Sequence, residues 1–521
     1  MRKKPEIRLS EQRKKGLLRL VFSRLLVIVL LLLAQVLLYF TFFDWMDQYL
    51  PHFAALQTLF IFAMVLYLFN SGMDASAKLT WLALLSVAPF LGASLLAYSK
   101  LNIGHRSTQK RTRQLISQTL DTLPQDPEVL EGLQGDPYAT ADLQRYLSRS
   151  GSFPVYAHTA VHYFSLGEEM FAAVLEAMEE AEKFIFLEYF IIEGGYLWDR
   201  MLDILTRKAA QGVDVRVLYD GMCEISNLPP DYAKRLQEAG IRAKAFSPIT
   251  PFLSTHYNYR DHRKILVVDG LAAFTGGVNL ADEYINRKER FGHWKDTAVM
   301  LRGDAVASFT LMFLQMWNLT EAEAAFPAEL LESPPYPGAR GYVLPYGDCP
   351  VDAYKAGENV YMDILNRAGK YVHIMTPYLI LDGEMEAALT FAAQRGVDVK
   401  LILPGIPDKK PAYALAKSHY RALLNAGVEI YEYTPGFVHA KVFVSDDCRA
   451  VVGTINLDYR SLYHHFECAA YLYQTPCIME IEEDFQKTLA GCRKVTHHTI
   501  KYESLYYKVV GSLMKLVAPL M

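Results

Sequence analysis

The chain has 521 residues, 51% of them hydrophobic, and a formal net charge of −4. That length exceeds one ordinary core, so two or three domains are expected, and the near-neutral balance removes any global argument for nucleic-acid binding. Six cysteines (Cys223, Cys349, Cys448, Cys468, Cys477, Cys492) occur without a CxxC pair, which argues against a disulfide framework or a thiolate zinc site and fits reduced, structural thiols.

Residues 1–24 carry nine Lys or Arg against two Glu, and Leu25 to Phe43 follows with only Gln35 and Thr41 as polar interruptions. As a helix this stretch covers about 28 Å, close to the hydrocarbon thickness of a bilayer. It is too long for an ordinary signal-peptide core and no A-x-A-like site follows, so it is read as a span and not as a cleaved leader. Two more apolar runs come next, Phe53 to Phe69 and Leu79 to Tyr98. The second contains Pro89 and Gly92, which a membrane helix tolerates and which equally suit a hairpin that dips in and returns. A membrane anchor over 1–113 and a multi-pass location in the cell membrane are therefore expected. The basic residues put the amino terminus in the cytoplasm. Five more basic residues between 100 and 113, with no acid among them, also ask for the cytoplasmic side, where three full crossings would not leave them. Either one run is re-entrant or the part beyond faces outward. The loop Asp44 to His52 has no Lys or Arg and is the external segment.

After a linker over 114–150, rich in Pro, Asp and Gln, the chain repeats itself. Lys183-Phe-Ile-Phe-Leu-Glu-Tyr-Phe, a helical pattern and Ala210-Gln-Gly-Val-Asp-Val-Arg-Val-Leu are answered by Lys370-Tyr-Val-His-Ile-Met-Thr-Pro-Tyr, another helical pattern and Gln394-Arg-Gly-Val-Asp-Val-Lys-Leu-Ile-Leu. Apolar, β-branched runs alternating with amphipathic helices indicate α/β layers with buried strands. Copies of this size indicate a duplicated domain and not a solenoid. The expected halves are 151–335 and 336–521, and a site assembled between them gives the duplication a purpose.

Each half carries one signature. The first is His262-Arg-Lys264, four residues, Asp269, then Gly276-Gly277-Val-Asn279; the second is His439-Ala-Lys441, four residues, Asp446, then Gly453-Thr454-Ile-Asn456. With each required residue at roughly one in twenty by composition, two copies at matching intervals do not arise by chance. On a strand, side chains two apart share a face, so His and Lys are expected to project together. A glycine turn then brings the Asn back beside them. Two His, two Lys and two Asn facing one another would surround a phosphodiester. Ammonium and amide groups stabilise charge on the phosphoryl oxygens. One imidazole attacks phosphorus, and the other moves the proton of the leaving and entering hydroxyls. Two ammonium groups supply the positive charge, so neither metal nor cofactor is expected.

These signatures resemble the HKD motifs of the phospholipase D superfamily. From about residue 55 onward the chain is similar to the bacterial cardiolipin synthases within it: Asn70-Ser-Gly-Met-Asp-Ala-Ser-Ala-Lys78, Leu79-Thr-Trp-Leu, Pro89-Phe-Leu-Gly, Glu188-Tyr-Phe-Ile-Ile, Thr376-Pro-Tyr378, Asp282-Glu-Tyr284, Trp294-Lys-Asp296-Thr and Val517-Ala-Pro-Leu-Met all fit the pattern. The resemblance implies amino-terminal transmembrane helices followed by two duplicated phospholipase D-like α/β domains sharing one active site. It implies a phosphohistidine intermediate, with His262 as nucleophile and His439 as general acid. Lys264, Asp269, Lys441 and Asp446 complete the catalytic set, Asn279 and Asn456 bind phosphate, and Asp296 and Glu467 orient the imidazoles. The implied reaction joins two phosphatidylglycerol molecules into cardiolipin and releases glycerol; the implied partners are these lipids and the bilayer, without nucleic acid. One departure stands out: in Tyr463-His464-His465-Phe-Glu467, His465 occupies a position where Asn is expected. Two adjacent His without further ligands at metal spacing do not make a metal site.

Rival activities are hydrolysis of the same lipid, transfer to another alcohol such as serine, a membrane-tethered nuclease, and a non-catalytic membrane scaffold. Against the nuclease, no basic run near the motifs is longer than Arg260 to Lys264, and nucleic-acid binders need more. Phe252, Tyr257, Tyr259 and Trp294 serve either to close the cleft against water or to pack a core. The apolar tail from Tyr502 to Met521, with Lys508 and Lys515, either packs on the catalytic part or lies at a bilayer surface.

Overall fold

The computed structural model describes residues 37, 50–101, 106–248 and 259–520. The expected span Leu25 to Phe43, apart from Leu37, lies outside them, as do Phe252 and Tyr257. The described residues form two compact units, one built mainly from 107–248 and 259–514, the other from residues up to 106 with 515–520.

In the smaller unit, helix α1 (Leu50–Phe69) is followed by α2 (Ala75–Val87) and α3 (Pro89–Leu101). Asp74 starts α2 as its N-cap, its carboxylate accepting from the Ala77 N–H at 3.0 Å, which satisfies one of the donors a helix start leaves open. The run Leu79 to Tyr98 is not one helix. Proline at the first position of α3 has no N–H to give and forces its predecessor out of helical conformation; Ala88 accordingly sits at φ −142°, ψ 77°. Leu68, Trp81, Leu85 and Leu96 form the core of this unit, while Leu56, Leu59, Phe62, Leu66 and Val87 are exposed. Among the described residues no helix is long and apolar enough to cross a membrane.

The larger unit holds strands β1 (Thr159–Phe164), β2 (Phe184–Tyr189), β3 (Asp214–Asp220), β4 (Arg242–Phe246), β5 (Arg260–Asp261), β6 (Lys264–Val268), β7 (Ala272–Gly276), β8 (His293–Lys295) and β9 (Ala298–Gly303). Then come β10 (Tyr342–Asp348), β11 (Tyr371–Met375), β12 (Asp398–Pro404), β13 (Glu429–Tyr433), β14 (Gly436–Val438), β15 (Val442–Ser445), β16 (Arg449–Gly453), β17 (His465–Tyr473) and β18 (Cys492–Lys494). One sheet runs β1-β9-β7-β6-β2-β3-β4 and the other β10-β17-β16-β15-β11-β12-β13-β18. Laid side by side, the first seven positions correspond one to one. The directions agree as well: β2, β3 and β4 pair in parallel, as do β11, β12 and β13, and the remaining neighbours along these seven-strand paths are antiparallel. The duplicated α/β architecture expected from the repeat is present.

Both faces of the first sheet are covered, which is why its strands read as continuous apolar runs. Phe184 and Phe186 point one way, stacked at 4.3 Å, with Phe186 against Phe313 at 4.7 Å. Phe313 belongs to helix α4 (Val306–Trp317), eleven of whose residues are buried. Ile185 and Leu187, one residue out of phase, face the opposite way, into a second core with Met170, Val174, Trp198 and Met201. Each such side chain, fully buried, stabilises by roughly 1.5–3 kcal/mol. The stretch read as a linker is packed too. Leu115, Val129, Leu133, Leu143 and Leu147 are buried, so its Pro and Asp mark turns and helix starts within folded structure. Pro127 opens a short helix that Asp126 caps. In the tail, helix α5 (Leu505–Val517) comes so close to Ala414 at Gly511 that a Cβ there would lie 2.4 Å from the Ala414 carbonyl oxygen. Leu505, Val509 and Leu513 remain exposed.

Candidate active site

His262 and His439 sit where each half reaches into the other. Strand β5, just before His262, pairs with the start of β17 in the second sheet, and the His262 N–H donates to the Phe466 carbonyl at 2.9 Å. Strand β14, just before His439, pairs with β8, and the His439 N–H donates to the Lys295 carbonyl at 2.7 Å. Phe466 and Lys295 are the residues immediately before Glu467 and Asp296, so the halves exchange equivalent backbone contacts. This corrects the expectation that His and Lys lie on one strand. β6 begins at Lys264 and β15 after Lys441, because the backbone at each His is drawn across to the other half.

The orienting acids follow the same crossing. His262 Nδ1 lies 2.9 Å from both oxygens of Glu467, and His439 Nδ1 lies 2.6 Å from Asp296 Oδ2. Each carboxylate thus serves the imidazole of the opposite half, and an Nδ1–H donated to it leaves Nε2 as the free lone pair. The local chain accommodates each acid. A Cβ on Gly277 would lie 2.0 Å from Asp296 Oδ1, so only glycine leaves room there. At the equivalent position Thr454 donates its hydroxyl to Glu467.

The lysines and imidazoles converge. Lys264 Nζ donates to the His262 carbonyl at 2.6 Å, and Lys441 Nζ lies 2.9 and 3.0 Å from the two ring nitrogens of His439. All four side chains, with Asn279 and Asn456, are buried. Burial pushes the Lys264 ammonium down to about 8 and that of Lys441 to about 7. Burial, then the charges of Lys264 and Lys441, holds the His262 imidazole well below its ordinary value, and burial with Lys441 brings His439 down to about 4. Although burial alone would raise it, Asp296 is held below the usual carboxylate range by His439 and Lys441. Both imidazoles are therefore neutral in the free site at pH 7. Asn279 accepts from the Ile191 N–H at 3.1 Å and donates to the Tyr284 hydroxyl at 2.9 Å, and the Tyr284 ring stands edge-on to His439 at 5.3 Å. The Asn456 side-chain oxygen is buried with no partner among the described residues.

Asp269 and Asp446 are not brought to the site. They lie five residues beyond the lysines, roughly 16 Å along an extended strand. There Asp269 accepts from the N–H groups of Glu182, Lys183 and Phe184 at 2.6–2.8 Å, and Asp446 from Gly369, Lys370 and Tyr371 at 2.8–2.9 Å. Both adopt left-handed backbone, at φ 54° and 55°, which Asp tolerates better than most residues. Their work is to secure the start of β2 and of β11, and this corrects their place in the catalytic set. Removing such a carboxylate forfeits charged hydrogen bonds and strands donors, so Asp446→Ala is expected to cost about 2–4 kcal/mol. Urea unfolding followed by tryptophan fluorescence checks this, and an unchanged midpoint would contradict it.

Further side chains pack around these groups; among them Trp294 and His465 stand out in the sequence for other reasons. Arg263, the middle residue of the first motif, donates from Nε to the Glu467 carbonyl at 3.1 Å and from Nη1 to the Met312 carbonyl at 3.3 Å. Phe190 packs edge-on against the His262 ring at 4.9 Å. Trp294 lies 5.6 Å from the His439 ring, and His465, two residues before Glu467 as Trp294 is two before Asp296, lies 5.4 Å from the His262 ring. Both His465 nitrogens are buried without a hydrogen-bond partner among the described residues, and an unsatisfied buried polar group costs about 1–3 kcal/mol. Among the described residues two groups bring three metal-ligating side chains together: His262, His465 and Glu467, and Glu358, Asp382 and Glu384. In the second group Tyr463 already holds Asp382 and Lys355 pairs with Glu358.

The family model described as cardiolipin synthase, phospholipase D-like domain, matches residues 174–317 and 361–489. The cardiolipin synthase of Halalkalibacterium halodurans is 31% identical over 513 residues, covering 96% of this chain and 100% of that one. That of Geobacillus thermodenitrificans is 33% identical over 502 residues, covering 95% and 99%. An uncharacterized protein of Streptococcus mutans is 57% identical over 457 residues, covering 88% and 99%. Among solved structures, phosphatidylserine synthase of Haemophilus influenzae matches with a TM-score of 0.57 at 16% identity, covering 73% of this chain and 98% of that one; at that identity the likeness concerns the fold.

Proposed function

The chain belongs to the cardiolipin synthase family of phospholipase D-like phosphatidyltransferases, and from that premise we propose that it transfers a phosphatidyl group reversibly between two phosphatidylglycerol molecules, giving cardiolipin and glycerol. The observation that carries the reading is the crosswise pairing of His262 with Glu467 and of His439 with Asp296 beside two buried lysines.

The chemistry divides into two displacements. The lone pair of His262 Nε2 attacks phosphorus of the first lipid, and the bond from phosphorus to the head-group glycerol oxygen breaks. His439 delivers a proton to that oxygen, so glycerol leaves as a neutral alcohol. The arriving phosphodiester anion, added to Asp296, favours the imidazolium that His439 needs at this stage. Glu467 likewise stabilises positive charge on His262 as the nitrogen–phosphorus bond forms. Lys264, Lys441, Asn279 and Asn456 bind the equatorial phosphoryl oxygens and meet their growing charge. In the second displacement His439 takes the proton from a head-group hydroxyl of another phosphatidylglycerol. The freed oxygen attacks phosphorus and His262 departs.

We read 1–113 as the membrane anchor of a multi-pass protein with membrane-inserted runs near 25–43, 53–69 and 79–98, and 151–335 and 336–521 as the two catalytic halves. The break at Ala88 and Pro89 favours a re-entrant hairpin for the last run, which lets the basic residues between 100 and 113 stay cytoplasmic. Anchoring suits lipid substrates, because a membrane-confined pool raises their effective concentration. The test is mass spectrometry of lipids after incubating purified protein in phosphatidylglycerol vesicles, with free glycerol quantified. Cardiolipin and glycerol in equal amounts are expected. Phosphatidic acid without cardiolipin would replace the lipid acceptor with water.

A further inference from the structure

His465 joins two residues already in the site to make a set of ligands that phosphatidyl transfer does not use. The ligand atoms of His262, His465 and Glu467 lie within 4.8 Å of one another, and all three residues are buried. His262 Nδ1 is 2.9 Å from Glu467 and His465 Nδ1 is 3.7 Å from it. In a tetrahedral zinc site, with bonds of about 2.0–2.1 Å to nitrogen and oxygen, ligand atoms lie about 3.3–3.4 Å apart, so these separations bracket what the metal needs. Both nitrogens of His465 lack a hydrogen-bond partner among the described residues although the side chain is only 7% exposed. A neutral imidazole in that condition offers its lone pair to whatever enters. The equivalent position beside His439 is Trp294, which has no metal-binding atom, so the arrangement is confined to the His262 side.

We propose that His262, His465 and Glu467 form a binding site for zinc or a similar first-row divalent cation, and that occupancy blocks transfer. The block follows from the imidazole itself. A neutral ring has one basic lone pair; if the metal takes it at either nitrogen, the other nitrogen carries the proton and cannot attack phosphorus. Withdrawal of Glu467 to the metal also removes the partner that orients His262. The inhibitory half of the proposal rests on His262 being the nucleophile. The binding half does not.

The experiment uses full-length protein, purified in detergent and freed of metal with EDTA. Zinc chloride is titrated by calorimetry, and transfer from phosphatidylglycerol is measured in parallel, each variant being referred to its own metal-free rate. One zinc per chain is expected, with transfer lost over the same concentration range and restored by EDTA. In His465→Asn, zinc affinity and sensitivity should fall at least about a hundredfold, since disturbing even a ligand's hydrogen-bond partner costs roughly 10–100-fold. His464→Asn should behave as the parent. Equal zinc affinity in His465→Asn and the parent, or no stoichiometric binding by the parent, would overturn the site. Cobalt provides a check that needs no variant: strong visible bands of a four-coordinate ion support it, and the weak spectrum of the hexaaqua ion contradicts it. Calorimetry needs no turnover, so failure to form cardiolipin would count against the proposed function and not against the metal site. Stoichiometric zinc with transfer intact would overturn the block, and with it the role of His262.

Discussion

Replacing His262 by alanine is expected to abolish phosphatidyl transfer, and replacing His439 to lower it by at least 10²–10⁴-fold, roughly the range of proton-transfer catalysis. The two losses have different causes, and a changed leaving group separates them. From a phosphatidyl ester of p-nitrophenol the nitrophenolate leaves without needing a proton. With this substrate His439→Ala should recover a rapid first release of nitrophenol, because His262 still attacks and only the later deprotonation of the acceptor is missing. His262→Ala should recover nothing, since no nitrogen remains to form the bond to phosphorus. The crossed acids define the geometry of this difference: Glu467 holds His262 at 2.9 Å and Asp296 holds His439 at 2.6 Å. Activity like the parent's in either alanine variant would sink the paired-site mechanism.

The second large effect belongs to the lysines. Lys264→Ala and Lys441→Ala are each expected to lower kcat/KM by about a hundredfold or more, the scale of removing one preorganised donor from developing charge. Their burial adds a pH dependence whose sign is fixed. The two ammonium groups are pushed down to about 8 and about 7, so as pH rises through that window they lose protons and the positive charge facing the phosphodiester disappears. kcat/KM should therefore fall on the alkaline side between about pH 7 and 8, with a limb that belongs to the pair and not to either residue alone. A flat profile across that window would contradict the assignment of positive charge to these residues.

What could be read in the sequence was local. His to Lys, Lys to Asp and Gly to Asn recur at the same intervals in both halves, and those intervals sit on short stretches whose geometry is nearly fixed. The β-branched runs announced buried strands for the same reason. The acids are a different case. Asp296 follows His262 by 34 residues and Glu467 follows His439 by 28, and the distances are moot because each acid serves the other half's imidazole. Nothing in one half's spacing encodes that exchange; it is made by β5 pairing with β17 and β14 with β8. The same cross-over breaks the strand between His and Lys, which alternation along a single strand does not foresee. Asp269 and Asp446 show the opposite error. Their spacing is as regular as that of the lysines, yet the regularity reflects a strand-start device built twice and not chemistry at phosphorus. Likewise two adjacent His without further ligands at metal spacing read poorly as a metal site, whereas in space His465 lies with Glu467 and with His262, 203 residues earlier in the chain. Pro89 was legible as a possible break, and Ala88 and Pro89 do end one helix and begin the next.

The central claim is a covalent phosphatidyl–histidine formed on the first half and discharged with help from the second. It is tested most directly by quenching protein during turnover of phosphatidylglycerol and locating the adduct by peptide mass spectrometry under conditions that preserve phosphorus–nitrogen bonds. The expected result is a phosphatidyl group on His262, absent from His262→Ala, that disappears when phosphatidylglycerol is chased in as acceptor. An adduct on His439 would reverse the two roles, and turnover with no adduct on either imidazole would contradict the mechanism.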